Sequence, residues 1–393
     1  MMREIVIAGA GTGSLTQEVR DVLSRAECVC ASQRFMTLIP PGRRFIPLTN
    51  FAEAFAEIER EPGQVVILVS GDPGLYSLLP LVKRHFPRES ITVLPGASSL
   101  QVLCARVRES WSDAVIVSAH GRTLNFGRFL NLVERNRLVA LFCDGVNSPR
   151  CVCEKLAGLH GVDVVIGENL GSESESILTG RPADFVKHDS PALSLMLVRN
   201  ASPFVPVNVH PRDSEFVRAE GVVMTHEAVR SVILGRLNLR RDSVLWDIGA
   251  GTGSISVCAG LEEPESEIHA VERKPEAVRV IARNAERFHL HNINIHESRA
   301  LDVMGSLPEP SHVFIGGHDG ELAGILSHLK GKLARVVIAC VTLDTLTTAY
   351  ALLKNWHDFE AVQVSVSTSK LLTNGSVLMA AKSPVTILSA SCE

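Results

Sequence analysis

The hexapeptide Gly-Ala-Gly-Thr-Gly-Ser occurs twice, at Gly9–Ser14 and at Gly249–Ser254, each time straight after an apolar run that predicts a buried strand. A glycine-rich turn at the carboxyl end of such a strand lets backbone N–H groups approach a ligand that a side chain would exclude. Two such turns, 240 residues apart, predict an α/β chain with two cofactor sites. What surrounds each copy separates them.

The second copy has a full nucleotide-site context. Val244–Ile248 predicts a strand, Gly249, Ala250, Gly251, Thr252 and Gly253 the turn, and Ser254 the start of a helix. A second apolar strand, Ile268–Val271, ends in Glu272, 23 residues after Gly249. That is where a doubly wound fold keeps the carboxylate that takes ribose hydroxyls. The spacing is G-x-G-x-G, with Ser254 where dinucleotide folds carry a third glycine. Asp247, two residues before the turn, sets a carboxylate nearby. A negative charge there repels a pyrophosphate and suits the cationic amino and sulfonium groups of S-adenosylmethionine; the other reading is that Asp247 only orders the turn. This half reads as a Rossmann-like methyltransferase.

The first copy lacks both acids. Its strand, Glu4–Ala8, has no carboxylate before Gly9, and the next apolar run, Cys28–Ala31, ends in Ser32-Gln33. The telling segments come later: Val65–Ser70 running into Gly71-Asp72-Pro73-Gly74-Leu75-Tyr76, then Leu94–Ser99, then Ser118-Ala119-His120-Gly121-Arg122. Each is a small-residue turn after an apolar strand.

On the segments Ser70–Tyr76, Pro95–Ser99, His120–Arg122 and Pro191–Ser194, residues 1–200 resemble the tetrapyrrole (corrin/porphyrin) methylases. Residues from about 218 resemble the partner domain of the same pathway, on Gly221–Arg230, Asp247–Ser254 and Val313–Gly317. The fusion in this order is similar to the family of decarboxylating precorrin-6Y methyltransferases of the cobalamin pathway. The resemblance implies a two-lobed methylase fold, with lobes about 1–108 and 112–200, then a linker at 201–217 and a Rossmann-like domain over 218–393. It also implies methylation of meso carbons 5 and 15 of a precorrin and loss of carbon dioxide from the carbon-12 acetate. By motif it places S-adenosylmethionine against Gly71, Asp72, Pro73, Tyr76, Ser98 and Ser99 in the first domain. In the second it adds Thr225 and Ala300 to Asp247, the glycine turn and Glu272. Substrate contacts fall on His120, Arg122, Arg230, Gly316 and Gly317, and proton handling on His226, His318 and Asp319. Two departures stand out: the first loop is shortened through Thr12–Ser14, and His226 stands where the family often has lysine.

Bulk properties fit two or three compact units. The chain has 393 residues and a net charge of −4, which does not favour nonspecific nucleic-acid binding. No apolar run reaches the ~18 residues of a membrane span, and the start at Met1-Met2-Arg3 leaves little room for a leader before the first strand. Nine scattered cysteines, with Cys28/Cys30 and Cys151/Cys153 as the close pairs and no histidines at ligand spacing, predict free thiols, no metal site and a cytoplasmic setting. The apolar content of 46% is compatible with a homo-oligomer.

Along the chain, strand and helix alternate, with a break at 106–113 and a proline-bearing stretch after Ala201. The second domain reads as five parallel strands, and Gln363–Ser367 with Ser376–Ala381 as a closing antiparallel pair joined around Asn374-Gly375. Arg128, Arg135 and Arg137 read as a solvated helix face. Methyl transfer needs alignment more than acid–base machinery, so no Ser-His-Asp set or metal cluster is expected. Ile315-Gly316-Gly317-His318 replaces the Asn/Asp-Pro-Pro-Tyr of amino-group methyltransferases and leaves room for a broad planar acceptor. Two other readings compete: a two-site dinucleotide oxidoreductase, opposed by Asp247 and the glycine spacing, and a methyltransferase fused to an RNA-recruiting module, opposed by the acidic balance.

Overall fold

The computed structural model describes residues 4–11, 15–121 and 123–392. They sort into two compact units. The first takes in the described residues up to Leu124 and Arg137–Ser202; the second takes in Asn125–Asn136 and the described residues from Pro203.

The first unit contains two five-stranded sheets. β1 (Glu4–Ala10), β2 (Cys28–Ala31), β3 (Arg44–Pro47), β4 (Val65–Ser70) and β5 (Ser90–Leu94) pair in parallel in the order β3-β2-β4-β1-β5. Alternate residues of the same strands enter different cores. Ile5, Ile7, Cys28, Cys30, Val65 and Ile67 face one; Val6, Ala8, Val29, Ala31, Val66 and Leu68 face the other. A sheet covered on both faces explains why these strands read as unbroken apolar runs. Burial also pushes the Cys28 and Cys30 thiols up, to about 11 and about 12, so neither is a ready nucleophile.

The second sheet of this unit runs β6-β7-β10-β8-β9, built from β6 (Val115–Ser118), β7 (Leu138–Phe142), β8 (Val162–Glu168), β9 (Ser176–Gly180) and β10 (Ser194–Asn200). Only β6 and β7 are parallel; β10 lies antiparallel between β7 and β8. The first sheet's strands end at Leu94 and the second's begin at Val115, with the helix Ser99–Val107 between them. The short strands β3 and β9 were not anticipated: their burial is partial and their apolar runs are too brief to stand out.

The second unit is a seven-stranded sheet in the order β13-β12-β11-β14-β15-β19-β16. β11 (Val244–Ile248), β12 (Glu267–Glu272), β13 (Ile293–Glu297), β14 (His312–Ile315) and β15 (Ala334–Cys340) are the five expected parallel strands. The closing pair differs from expectation. β16 (His357–Val364) and β19 (Val385–Cys392) complete the sheet, with β19 antiparallel to both β15 and β16. β17 (Ser367–Leu371) and β18 (Val377–Ala381) form a separate hairpin around Asn374-Gly375. The turn signal was right, but it belongs to an excursion between the two closing strands.

The helix Phe126–Arg135 belongs to this second unit although it lies between β6 and β7 in sequence. Asn131, fully buried, donates to Pro264 O at 2.9 Å and accepts from His291 N at 2.7 Å. The Gly127 backbone lies so close to His291 O that a Cβ there would sit at 2.4 Å from it. Arg135 is no solvated residue: it donates to Leu261 O and Gly260 O, both at 3.1 Å, capping the carboxyl end of the helix Ser254–Glu262, and burial lowers its pKa. Arg128 is partly buried 3.7 Å from Glu267, and Arg137 is paired with Asp113 and Glu109. Replacing Asn131 by Leu strands a buried N–H and a carbonyl together, so it should destabilise the second unit by about 2–3 kcal/mol. Urea unfolding followed by Trp246 and Trp356 fluorescence reads this; an unshifted midpoint would deny the helix its place in that unit.

Candidate active site

β11 and β14 are neighbours in the second unit's sheet, yet the chain leaves β11 towards β12 on one side and returns to β14 on the other. Such a reversal opens a crevice beyond the carboxyl ends of the strands. The glycine turn fills its floor. Gly249, Gly251 and Gly253 have φ of 72°, 58° and 73°, the left-handed region that glycine enters at no steric cost. A Cβ on Gly249 would sit 2.5 Å from Gly317 N, and one on Gly251 would sit 2.5 Å from Val223 O. Three segments thus converge: the turn after β11, the Gly316-Gly317 turn after β14, and residues 221–225 laid across the first.

A cavity of about 210 Å³ opens between them, lined by Thr225, Gly249, Ala250, Gly251, Glu272, Ala300, Gly316, Gly317 and His318 among others. The sequence expected all nine at the second site. Glu272 accepts from Gly251 N and from Lys274 N, each at 3.0 Å, which orients its carboxylate and leaves further acceptor capacity on both oxygens. The rim carries charges of which sequence reasoning had named only Asp319. Arg273 pairs with Asp319 at 2.6 Å, Arg299 pairs with Glu321, and Lys274 stands beside them. Proximity of Arg273 to Glu272 was the one available signal.

Four expected site residues lie beneath the cavity. Asp247 is fully buried, and its Oδ2 accepts from Ser256 N at 3.1 Å and Ser256 Oγ at 2.5 Å. It therefore ties the helix Ser254–Glu262 to β11 and does not face the cavity as a counter-ion; desolvation, partly offset by the Ser256 bonds, lifts its pKa to about 6. Thr252 is buried, and Gly253 sits where a Cβ would press Ile281 at 2.9 Å. Arg230 is buried and spends its guanidinium on Asp213, Thr225 O and Pro211 O, at 2.6, 2.7 and 2.6 Å. No substrate carboxylate reaches it there.

The two histidines part company. His226 caps the helix Glu227–Leu237, its Nδ1 accepting from Ala228 N at 3.2 Å, with Nε2 3.8 Å from Asp213. It is a structural cap, outside the cavity lining. His318 does line the cavity. Its Nδ1 accepts from Gly320 N at 3.2 Å, so the ring proton sits on Nε2, 3.3 Å from Thr345 Oγ1.

In the first unit the same hexapeptide begins at the end of β1, and Gly9 touches two other strand ends: a Cβ there would lie 2.2 Å from Gly71 O and 2.5 Å from Gly96 N. Gly71, at φ 65°, packs on Ser98 Cα and donates to Ala10 O at 2.8 Å. Asp72 Oδ1 accepts from Gly74 N at 2.7 Å, an Asx turn that leads into Tyr76 at φ 48°. Pro73 is buried within that turn. The Tyr76 hydroxyl donates to Ile116 O at 2.7 Å and its ring lies 5.9 Å from Phe142, so it bridges the unit's two sheets. Ser98 caps the helix Ser99–Val107 in a reciprocal box with Gln101, which commits its side chain to the backbone; Ser99 is half-buried in the first turn. His120 is exposed, and Arg122, like Thr12–Ser14, lies outside the described residues.

Residues 4–185 match the family described as Tetrapyrrole (Corrin/Porphyrin) Methylases, and residues 216–391 match the Precorrin methyltransferase domain. A precorrin-6Y C(5,15)-methyltransferase (decarboxylating) from Sinorhizobium sp is 29% identical over 86% of this chain and 84% of its own length. A cobalt-precorrin-6B C(15)-methyltransferase (decarboxylating) from Salmonella typhimurium is 38% identical over 36% of this chain and 73% of its own. Among solved structures, a precorrin-6y C5,15-methyltransferase from Geobacter metallireducens is 34% identical, with a TM-score of 0.44, over 47% of this chain and all of that one.

The buried Asp247 carries a pH signature. Its folded pKa of about 6 lies above the ordinary aspartate value of 3.8, so its contribution to stability is full below the lower value and declines as pH rises towards the higher. Asp247→Asn keeps an acceptor for Ser256 and removes the charge. The second unit's urea midpoint should therefore fall between pH 4 and 6 in the parent relative to the variant. Parallel profiles would show that Asp247 ionises without penalty.

Proposed function

The chain belongs to the decarboxylating precorrin-6Y methyltransferase family, and from that membership we propose that it methylates meso carbons 5 and 15 of a precorrin and removes carbon dioxide from the carbon-12 acetate in cobalamin biosynthesis. The observation that carries this is the order of the two matched families in one chain, across which a full-length relative with both activities in its name aligns. We assign carbon 5 to the tetrapyrrole methylase domain, residues 1–200, and carbon 15 with the decarboxylation to the Rossmann-like domain, residues 218–393, joined through 201–217.

S-adenosylmethionine is the cofactor we assign to both sites, and when bound it supplies an electrophilic methyl group. The residues fit it. The turn brings the small residues Gly249, Ala250 and Gly251 to the cavity wall, where an adenosyl group can lie against them, and Glu272 has acceptor capacity for two ribose hydroxyls. In the first unit Gly9, Gly71 and Gly96 leave backbone only at three adjoining strand ends. Alignment of an electron-rich meso carbon against the methyl group accounts for much of the rate. For the decarboxylation we assign proton delivery to the His318 imidazole, which lines the cavity next to Gly316-Gly317 and whose ring Thr345 holds in place.

The partner reading is a second copy of this chain. The β17–β18 hairpin exposes Leu371, Val377, Leu378 and Met379, at 72%, 64%, 48% and 61%. A lone two-stranded hairpin is marginal in water, and an apolar one is covered by self-association. No helix among the described residues is long and apolar enough to cross a membrane, and all nine cysteines are unpaired, which suits a reducing cytoplasm.

Mass spectrometry of the tetrapyrrole product tests the division of labour. Gly251→Val places a side chain against Val223 O and should abolish the carbon-15 methyl while carbon 5 is still methylated. Gly71→Val, crowding Ser98, should remove the carbon-5 methyl alone. Loss of both methyls from either folded variant would refute two independent sites. Separately, Leu378→Lys with Met379→Lys should shift the sedimentation coefficient to that of a monomer; an unchanged value places the self-contact elsewhere.

A further inference from the structure

We propose that Arg230 and Asn284 are positioning residues of the second-unit cofactor pocket, two buried clamps that hold residues 211–225 as a fixed wall over the glycine turn. The inference rests on the reading of that pocket as a cofactor site and adds the residues that shape it.

The segment from Pro211 to Thr225 contains only a short 3₁₀ turn at Asp213–Glu215, so its course is set by side chains that reach it. Arg230 reaches both ends. Its side chain is 2% exposed, and its guanidinium donates to Pro211 O, Asp213 Oδ1 and Thr225 O while lying 4.7 Å over the Phe216 ring. A planar fork of donors satisfies these acceptors at once; an ammonium, with one nitrogen, cannot. The pairing also neutralises a buried charge, and removing either partner leaves the other uncompensated.

Asn284 holds the middle. It is fully buried on the helix Pro275–Arg287, where its Oδ1 accepts from Val217 N at 2.8 Å. Its Nδ2 donates to Val217 O at 3.1 Å and to Thr252 O at 2.9 Å. One amide thus bonds the segment on one side and the glycine turn on the other. Phe288, one helical turn further, packs its ring 5.2 Å from Phe216. The result is felt at the pocket: Val223 O accepts from Thr252 N at 3.2 Å, and Gly221, Val222, Val223 and Thr225 form its wall. Neither clamp lines the cavity, so both act through the wall they hold.

Asn284→Asp tests this with almost no change of shape. It keeps the acceptor for Val217 N, loses both donations, and turns a carboxylate oxygen towards two carbonyls. Arg230→Lys is the second variant: it keeps the charge beside Asp213 and loses the fork. Both are made in the full chain, with S-adenosylhomocysteine as the calorimetric probe and circular dichroism as the check on folding. The second-unit site should bind the probe at least tenfold more weakly, with the first-unit site unchanged in the same titration. At that site KM for S-adenosylmethionine should rise about as much while kcat stays within twofold, a split that loss of global stability does not produce. Hydrogen exchange at 217–225 should quicken in the unliganded variants. Folded variants that bind the probe like the parent overturn the clamp. If the parent shows no second-unit binding at all, the cofactor reading of the pocket fails first and the clamp falls with it. If Asn284→Asp does not fold, the same readings on Arg230→Lys decide.

Discussion

Backbone contact between the turns after β11 and β14 is the constraint on which the second unit depends. Gly249 approaches Gly317 so closely that a Cβ on Gly249 would lie 2.5 Å from Gly317 N, and the neighbouring turns are arranged around that contact. Peptide groups held at this distance must be supported from several directions, because a turn has few hydrogen bonds of its own. Support comes from Val271 O, which accepts from Gly249 N and Ala250 N, and from Ile248 O, which accepts from Gly316 N and Gly317 N. Glu272 adds a bond to Gly251 N, so one carboxylate both organises the turn and offers itself to a ligand. The floor of the pocket is therefore set by the backbone at the carboxyl ends of two central strands.

Much of this was legible. Apolar runs of strand length followed by glycine or acid mark the five parallel strands, and the nine cavity-lining residues expected from the sequence all meet. What was not legible depends on distant partners. Asp247 reads as a pocket residue by its distance from the turn, yet strand alternation already puts it on the face opposite Trp246 and Ile248, towards the helix that follows. Arg230 reads as a free cation because Asp213, 17 residues earlier, has no pattern that links them. His226 sits at a helix start, where a side-chain acceptor caps the backbone, and that local role is the one it has. The closing strands β16 and β19 pair over an intervening hairpin, and a local turn signal cannot see past the hairpin it creates.

The two copies of the hexapeptide show how little a short motif fixes by itself. In the second unit the motif is followed by a helix, an adjacent strand and a terminal acid. In the first, Gly9 instead packs on Gly71 and Gly96, the ends of the two strands flanking β1. The shared requirement is only that backbone should meet backbone where a Cβ would not fit.

The position of β19 bears on how the chain comes off the ribosome. In space it is interior, hydrogen-bonded on both edges between β15 and β16; in sequence it comes after both. Until residues 385–392 have been synthesised, β15 and β16 have no common neighbour, and each presents an open edge. The helix Phe126–Arg135, made long before, has a buried face whose partners around Pro264 and His291 do not yet exist. The first unit's second sheet likewise waits for β10, which lies between β7 and β8, but the second unit must hold both an early helix and a late strand in waiting. The interval between them is when unpaired strand edges are open to other nascent chains.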